Sequence, residues 1–113
     1  MLEQENYELF FCYDLKNFLC GLIIIMSGPF DTDIIYIFVD SRQRRMGVAN
    51  FLLKSIFNYL KTEKKKEKVF LEVSSMNKKA ILLYEKIGMN LISKKRFYYK
   101  NGSDVLIYCY KLF

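Results

Sequence analysis

The chain has 113 residues, 52% hydrophobic and 27% charged, with a net charge of +6 and no histidine. That length supports one core and one domain over residues 1–113, and without imidazole there are no histidine zinc sites, Ser-His-Asp triads or Cys-His pairs. The apolar runs fall well short of the roughly 18 residues that suggest a membrane helix, and the acidic start "MLEQENYELF" is unlike a signal peptide, so a cytoplasmic protein with no membrane partner is expected.

In chain order, "YELFFCYDL" and "NFLCGLIIIM" are rich in aromatic and branched residues and read as strands, with "DLKN" as the hairpin turn between them. "SGPFDTD", from Ser27, reads as a loop and "IIYIFVD" as a third strand, which makes the first 40 residues an antiparallel meander. "RRMGVA", Arg44 to Ala49, follows. From Val48 the period changes: Val48, Leu52, Ile56 and Leu60 recur at intervals of four, with Phe51, Leu53 and Phe57 widening the stripe. That pattern is an amphipathic helix of about three turns. "KTEKKKEK" reads as its solvated end and a loop, not as a nucleic-acid tail. "VFLEV" is a short strand reached by a parallel crossover. "MNKKAILLYEKIGM" is a second helix with Asn77 as N-cap, Ala80, Leu83, Tyr84 and Ile87 on one face, and Gly88 at its C-terminal end. "NLISKKRFYYK" and "DVLIYCYKLF" are strands joined by the hairpin signal "NGS". The order β-β-β-α-β-α-β-β is an α+β, layered α/β domain.

Charge divides the chain. Residues 1–40 carry one cation, Lys16, against seven acids, while residues 41–113 carry seventeen cations against five acids. The basic part begins at "RRMGVA", so a phosphate-bearing partner for that half is plausible. A strand, small residues and a helix start together expose backbone N–H groups to an anion, and the helix dipole adds favourable potential. Arg42, Arg44 and Arg45 add charge there. A plain strand–helix connection explains the same residues, and the motif is not a Walker A loop.

Glu72 is the one carboxylate in the apolar strand "VFLEV", sharing a face with Phe70 while Leu71 and Val73 point the other way. Such a residue marks an edge, an ion pair or a working site. If partly buried, it has a raised pKa and accepts a proton directly or through water. Tyr84, taken alone, is a core tyrosine with its hydroxyl at the rim. The aromatic-basic strand "KKRFYYK" offers base stacking, but the RNA-recognition consensus is absent. Tyr98 or Tyr99 lining a cleft fits better, and nucleic acid is not an expected partner. The three cysteines, Cys12, Cys20 and Cys109, are widely separated in apolar surroundings and read as reduced, structural residues.

Taken together, these segments resemble the GCN5-related N-acetyltransferase (GNAT) superfamily, whose coenzyme signature Q/R-x-x-G-x-G/A is matched at Arg44, Arg45, Met46, Gly47, Val48 and Ala49. "LEVSSMNKKAILLYEKIGM" and "KKRFYYKNGSDVLIY" resemble the branch that acetylates the N-terminal alanine of a small-subunit ribosomal protein. The resemblance covers about 80 residues, from about Ile34 to the C-terminus. It departs at Ser41, Ser74 and Met76, where the family often has proline, arginine and serine.

This resemblance implies a mixed central sheet with two helices and a C-terminal hairpin, without the usual first strand and two helices that help to form the amine groove. It implies acetyl-CoA as cosubstrate and no metal. The backbone of Ile37, Phe38 and Val39 would bind the pantetheine arm, the amides from Arg45 to Asn50 the pyrophosphate, and Asn77 the coenzyme. Glu72 would be the general base and Tyr84 the general acid for direct attack of a protein or peptide amine on the thioester. The amine would belong to a ribosomal protein. A non-catalytic acetyl-CoA-binding or partner-binding remnant is the alternative. The strand-rich first 40 residues, left uncovered, are a candidate homodimer contact.

Overall fold

The computed structural model describes residues 6–43, 47–96 and 98–113. Six strands, β1 Asn6–Tyr13, β2 Leu19–Ser27, β3 Asp31–Val39, β4 Lys68–Ser74, β5 Asn90–Lys95 and β6 Val105–Lys111, are interleaved with α1 Val48–Thr62 and α2 Lys78–Lys86. They form one sheet in the order β1-β2-β3-β4-β6-β5. Every neighbouring pair is antiparallel except β3 and β4, which run parallel because α1 carries the chain back across the sheet. The expected α+β mixed sheet, N-terminal meander and two helices are all present.

The hairpin β1–β2 turns on Asp14–Asn17. Asp14 Oδ1 accepts from the backbone N–H groups of Lys16 and Phe18, and Asn17 takes a positive φ of 67°, which asparagine tolerates better than most residues. Two boundaries differ from the sequence reading. The loop placed at 27–33 shrinks to Gly28–Phe30, because Gly28 N–H donates to the Asp31 carbonyl at 2.8 Å and Ser27 and Thr32 are already paired in the ladder. The strand placed at 90–100 stops at Lys95. Beyond it a tight turn closes on Tyr99, whose carbonyl accepts from Gly102 N–H at 2.9 Å, so Tyr98 and Tyr99 lie in the hairpin loop.

Alternation decides what each face buries. Ile23, Ile25, Ile34, Val69, Leu71, Val73, Leu106 and Tyr108 point to one face and meet Leu52, Leu53, Ile56, Phe57 and Leu60 of α1. Ile81, Leu83, Tyr84 and Ile87 bring α2 against the same core. The opposite face has no helix on it among the described residues. Tyr7, Leu9 and Phe11 of β1 and Tyr36 of β3 stand there about half exposed. The lysine run after α1 is exposed as expected but not wholly solvated, since Lys66 Nζ donates to the carbonyls of Gly28 and Pro29 at 2.8 and 3.3 Å.

Two tyrosines tie helix to sheet. Tyr59 donates to Glu8 Oε2 at 2.6 Å; that bond first, then burial, pushes its pKa up to about 12. Tyr108 donates to Glu85 Oε2 at 2.8 Å, and burial first, then this bond, pushes it up to about 12. Unfolded tyrosine titrates near 10. A raised folded value means that this stabilisation is fully present below pH ~10 and is lost as pH rises toward 12. Circular-dichroism melts should therefore give a Tm whose alkaline fall steepens above pH ~10. Tyr108→Phe, with no phenol to titrate, should show a shallower alkaline fall.

Candidate functional site

The parallel ladder of β3 and β4 pairs Asp31–Ile34 with Lys68–Leu71 and ends there, although β3 runs on to Val39 and β4 to Ser74. The cause lies in β3. Ile24 pairs with Tyr36 and Ile25 with Ile34, so Ile35 is an extra residue opposite β2, and a bulge of this kind bends the strand that carries it. The diverging strands leave a cleft of about 480 Å³, lined by Asp33, Ile34, Ile35, Phe70, Leu71, Glu72 and Ile107. Ile34 and Leu71 belong to the helix-covered side and Asp33, Phe70 and Glu72 to the bare side, so residues of both faces meet in this cleft.

Glu72 is exposed on β4, so the condition of partial burial is not met. Among the described residues no helix lies over this face, so this carboxylate meets solvent. Its charge is felt by its neighbours. Burial first, then Asp31 and Glu72, raises the pKa of Asp33. Burial first, then Glu72 and Tyr98, raises that of Tyr99. The cleft is thus acidic on the bare side, with Tyr99 within electrostatic reach of Glu72.

Ile37, Phe38 and Val39 occupy the part of β3 beyond the point where β4 turns away. Asp40 N–H donates to the Cys20 carbonyl at 3.0 Å, and a 3-10 turn over Ser41–Gln43 leads away from the strand. Arg42 does not stand as a bare cation: its guanidinium pairs with Asp40 Oδ2 at 2.9 Å. Arg44, Arg45 and Met46 lie outside the described residues. Gly47 caps α1 with a φ of 74° and has no side-chain hydrogen bond to the helix end. A Cβ there would meet nothing within 4 Å among the described residues. Val48, Ala49 and Asn50 form the first turn, which contains no acidic residue. Their N–H groups are among the four that a helix start leaves without intrahelical partners.

Asn77 and Tyr84 sit on α2. Asn77 Oδ1 accepts from Ala80 N–H at 3.3 Å, so the side chain is engaged as a cap. Tyr84 is half-buried, with its ring 6.4 Å from that of Tyr108, and burial raises its pKa. It packs on the helix-covered side, whereas Glu72 is on the bare side. The two candidates are therefore not in contact; they lie on opposite sides of the sheet that the cleft divides. Asn77→Ala should cost about 1 kcal/mol of stability, and Asn77→Asp, which also caps, should restore it. Thermal melts check the cap, and isothermal titration with acetyl-CoA shows whether either change also alters affinity.

Two participants carry little signal in the sequence. Asp33 falls in the loop that the sequence predicts at 27–33, whereas the structure places it on β3 with Glu72 in the lining of the cleft. Gly21, inside the apolar run "LCGLIIIM", carries the signal of a close backbone approach: a Cβ there would lie 2.8 Å from Val48 Cγ1 and 2.9 Å from Leu52 Cδ1. The start of α1 rests on that glycine.

A family model described as the acetyltransferase (GNAT) family matches residues 1–89. An N-alpha-acetyltransferase from Sulfurisphaera tokodaii is 34% identical over 74 residues, which cover 66% of this chain and 44% of that protein. This chain thus spans less than half the length of that relative. Among solved structures, the ribosomal-protein-S18-alanine N-acetyltransferase from Escherichia coli superposes with a TM-score of 0.87 at 26% identity, covering 97% of this chain and 72% of that one. A spermidine/spermine N-acetyltransferase from Vibrio cholerae gives 0.85 at 20% identity over 94% of this chain and 67% of that one, a likeness of fold alone.

Proposed function

The chain belongs to the acetyltransferase (GNAT) family, and from that premise we propose that residues 1–113 are a single domain that transfers the acetyl group of acetyl-CoA to a protein or peptide amine. The observation that carries this reading is the divergence of β3 and β4 past Ile34–Leu71, with Glu72 lining the gap on one side. The backbone of Ile37, Phe38 and Val39 would take the pantetheine arm as a further strand takes its neighbour. The α1 start, with the amides of Gly47 to Asn50, would take the pyrophosphate. Two features of the chain fit those roles: the positive φ and open surroundings of Gly47, and a first turn without a carboxylate.

The acceptor would arrive on the bare side, where Asp33 and Glu72 favour a cationic amine. An N-terminal ammonium titrates at about 7.7–8.0, so part of it is already neutral near that pH, and the carboxylate of Glu72 would pass the proton on to the water it meets. The neutral nitrogen then attacks the thioester carbon. A C–N bond forms, the C–S bond breaks, the departing thiolate takes the Tyr84 proton, and the proton that the acylated nitrogen sheds passes to solvent, from which Tyr84 is reprotonated. Burial of Tyr84 keeps that proton on the phenol until it is needed. The likeness to the S18-alanine enzyme makes a peptide that begins with alanine the acceptor to try first.

The test is incubation of the protein with acetyl-CoA and alanine-initiated peptides while thiol release and peptide mass are followed. Thiol release with a 42 Da gain on the peptide is the expected result. Coenzyme binding without turnover on any amine would instead establish the non-catalytic alternative. Absence of both binding and transfer would overturn the reading altogether.

A further inference from the structure

Cys12 and Cys20 face each other across the β1–β2 hairpin. Cys12 stands opposite Gly21 and Tyr13 opposite Leu19, so Cys20 is the extra residue of a bulge, where two consecutive residues face one on the partner strand. The two sulfurs lie 3.2 Å apart, and Cys20 Sγ is also 3.1 Å from the Cys12 carbonyl. Cys20 is buried and Cys12 half-buried, so Cys12 is the sulfur that a small reagent reaches first. The third cysteine, Cys109, is on β6, four strands from β1 in the sheet.

We propose that Cys12 and Cys20 are a latent disulfide site, closed by thiol–disulfide exchange with a small-molecule disulfide. The sulfurs must approach by about 1 Å to reach bonding distance, which side-chain rotation in a hairpin supplies. The Cys12 thiolate attacks one sulfur of the reagent, expels one thiolate and leaves a mixed disulfide on Cys12. Cys20 then gives up its proton to water and displaces the second thiolate. Two protein thiols are oxidised to one S–S bond and the reagent is reduced to two thiols. Burial first, then the bond with Cys20, pushes the Cys12 pKa up to about 11. Thiolate is therefore scarce at neutral pH, and closure is slow.

The position gives this bond a consequence. The Cys20 carbonyl holds Asp40 N–H, and the next residue, Gly21, receives Val48 and Leu52 of α1. The closed form fixes the end of the sheet on which the proposed coenzyme helix is seated. Only this consequence rests on the acetyltransferase reading; the bond itself is tested without coenzyme.

The experiment equilibrates the full chain with mixtures of reduced and oxidised glutathione, quenches with acid, and alkylates in denaturant before mass spectrometry. In the most oxidising mixtures, labelling should fall from three thiols to one, with the Cys12 and Cys20 peptides linked. The equilibrium constant against glutathione should be at least tenfold larger for the folded chain than for the chain in urea. Cys109→Ser should behave as the parent, and Cys12→Ser should leave no intramolecular link. Three labelled thiols at equilibrium, a link through Cys109, a covalent dimer, or equal constants for folded and unfolded chains would each overturn the proposal.

Discussion

Glu72→Gln should lower kcat for acetyl transfer by about 10²–10⁴, the usual contribution of a positioned acid or base, and leave acetyl-CoA affinity and Tm unchanged. The substitution keeps the shape of the side chain, and the residue is exposed on β4, where surface changes stay within about 0.5 kcal/mol of stability. Stopped assays of thiol release give kcat, and titration with acetyl-CoA gives affinity. Retention of near-parental turnover in Glu72→Gln would remove the carboxylate from the proposed chemistry. Tyr84→Phe makes the complementary comparison from the other side of the sheet. It removes only the hydroxyl and keeps the half-buried ring against the core, so turnover should fall far more than coenzyme affinity; equal losses in both would mark Tyr84 as packing only. Because burial raises the Tyr84 pKa, the parental rate should show no alkaline decline from this residue below pH ~10.

The elements were legible because their periods are unmixed. In β4, Phe70 and Glu72 alternate with Leu71 and Val73, and in α1 the residues Leu52, Leu53, Ile56, Phe57 and Leu60 are buried as their spacing requires. The turns "DLKN" and "NGS" were legible through asparagine and glycine, and the α2 cap through Asn77. The geometry of the cleft was not, because it depends on Ile35, a bulged residue that looks like any other apolar residue in "IIYIFVD". The exposure of Glu72 is left open by the sequence for a related reason. A carboxylate in an apolar strand is buried or exposed according to what covers its face, and here both helices pack on the other one. Periodicity reports which residues share a face; it does not report what covers that face. Arg42 shows the same limit for charge. It adds to the cations beside the motif in the sequence, but its guanidinium pairs with Asp40, two residues back along the chain.

Gly21→Val should destabilise the chain by about 3 kcal/mol, the upper part of the range for overpacking, which lowers Tm by about 12 °C in a domain of this size. The added Cβ would sit 2.8 Å from Val48 Cγ1, 2.9 Å from Leu52 Cδ1 and 3.2 Å from the Phe38 carbonyl oxygen. The Phe38 oxygen is backbone near the end of β3 and cannot retreat without disturbing the β2–β3 ladder, in which Phe38 pairs with Leu22 and Val39 with Gly21. The strain is therefore relieved through α1, whose first turn would lift from the sheet. Gly47 and the first-turn amides move with it. Affinity for acetyl-CoA should consequently fall at temperatures well below the new Tm, and hydrogen exchange should speed up in residues 48–52 before it does in β4 or β6. Gly21→Ala, which adds the Cβ without the γ-methyls, should give a smaller shift of the same sign in both measurements. A loss of stability with unchanged coenzyme affinity would mean that the seating of α1 on Gly21 supports the core alone and does not position the proposed pyrophosphate site.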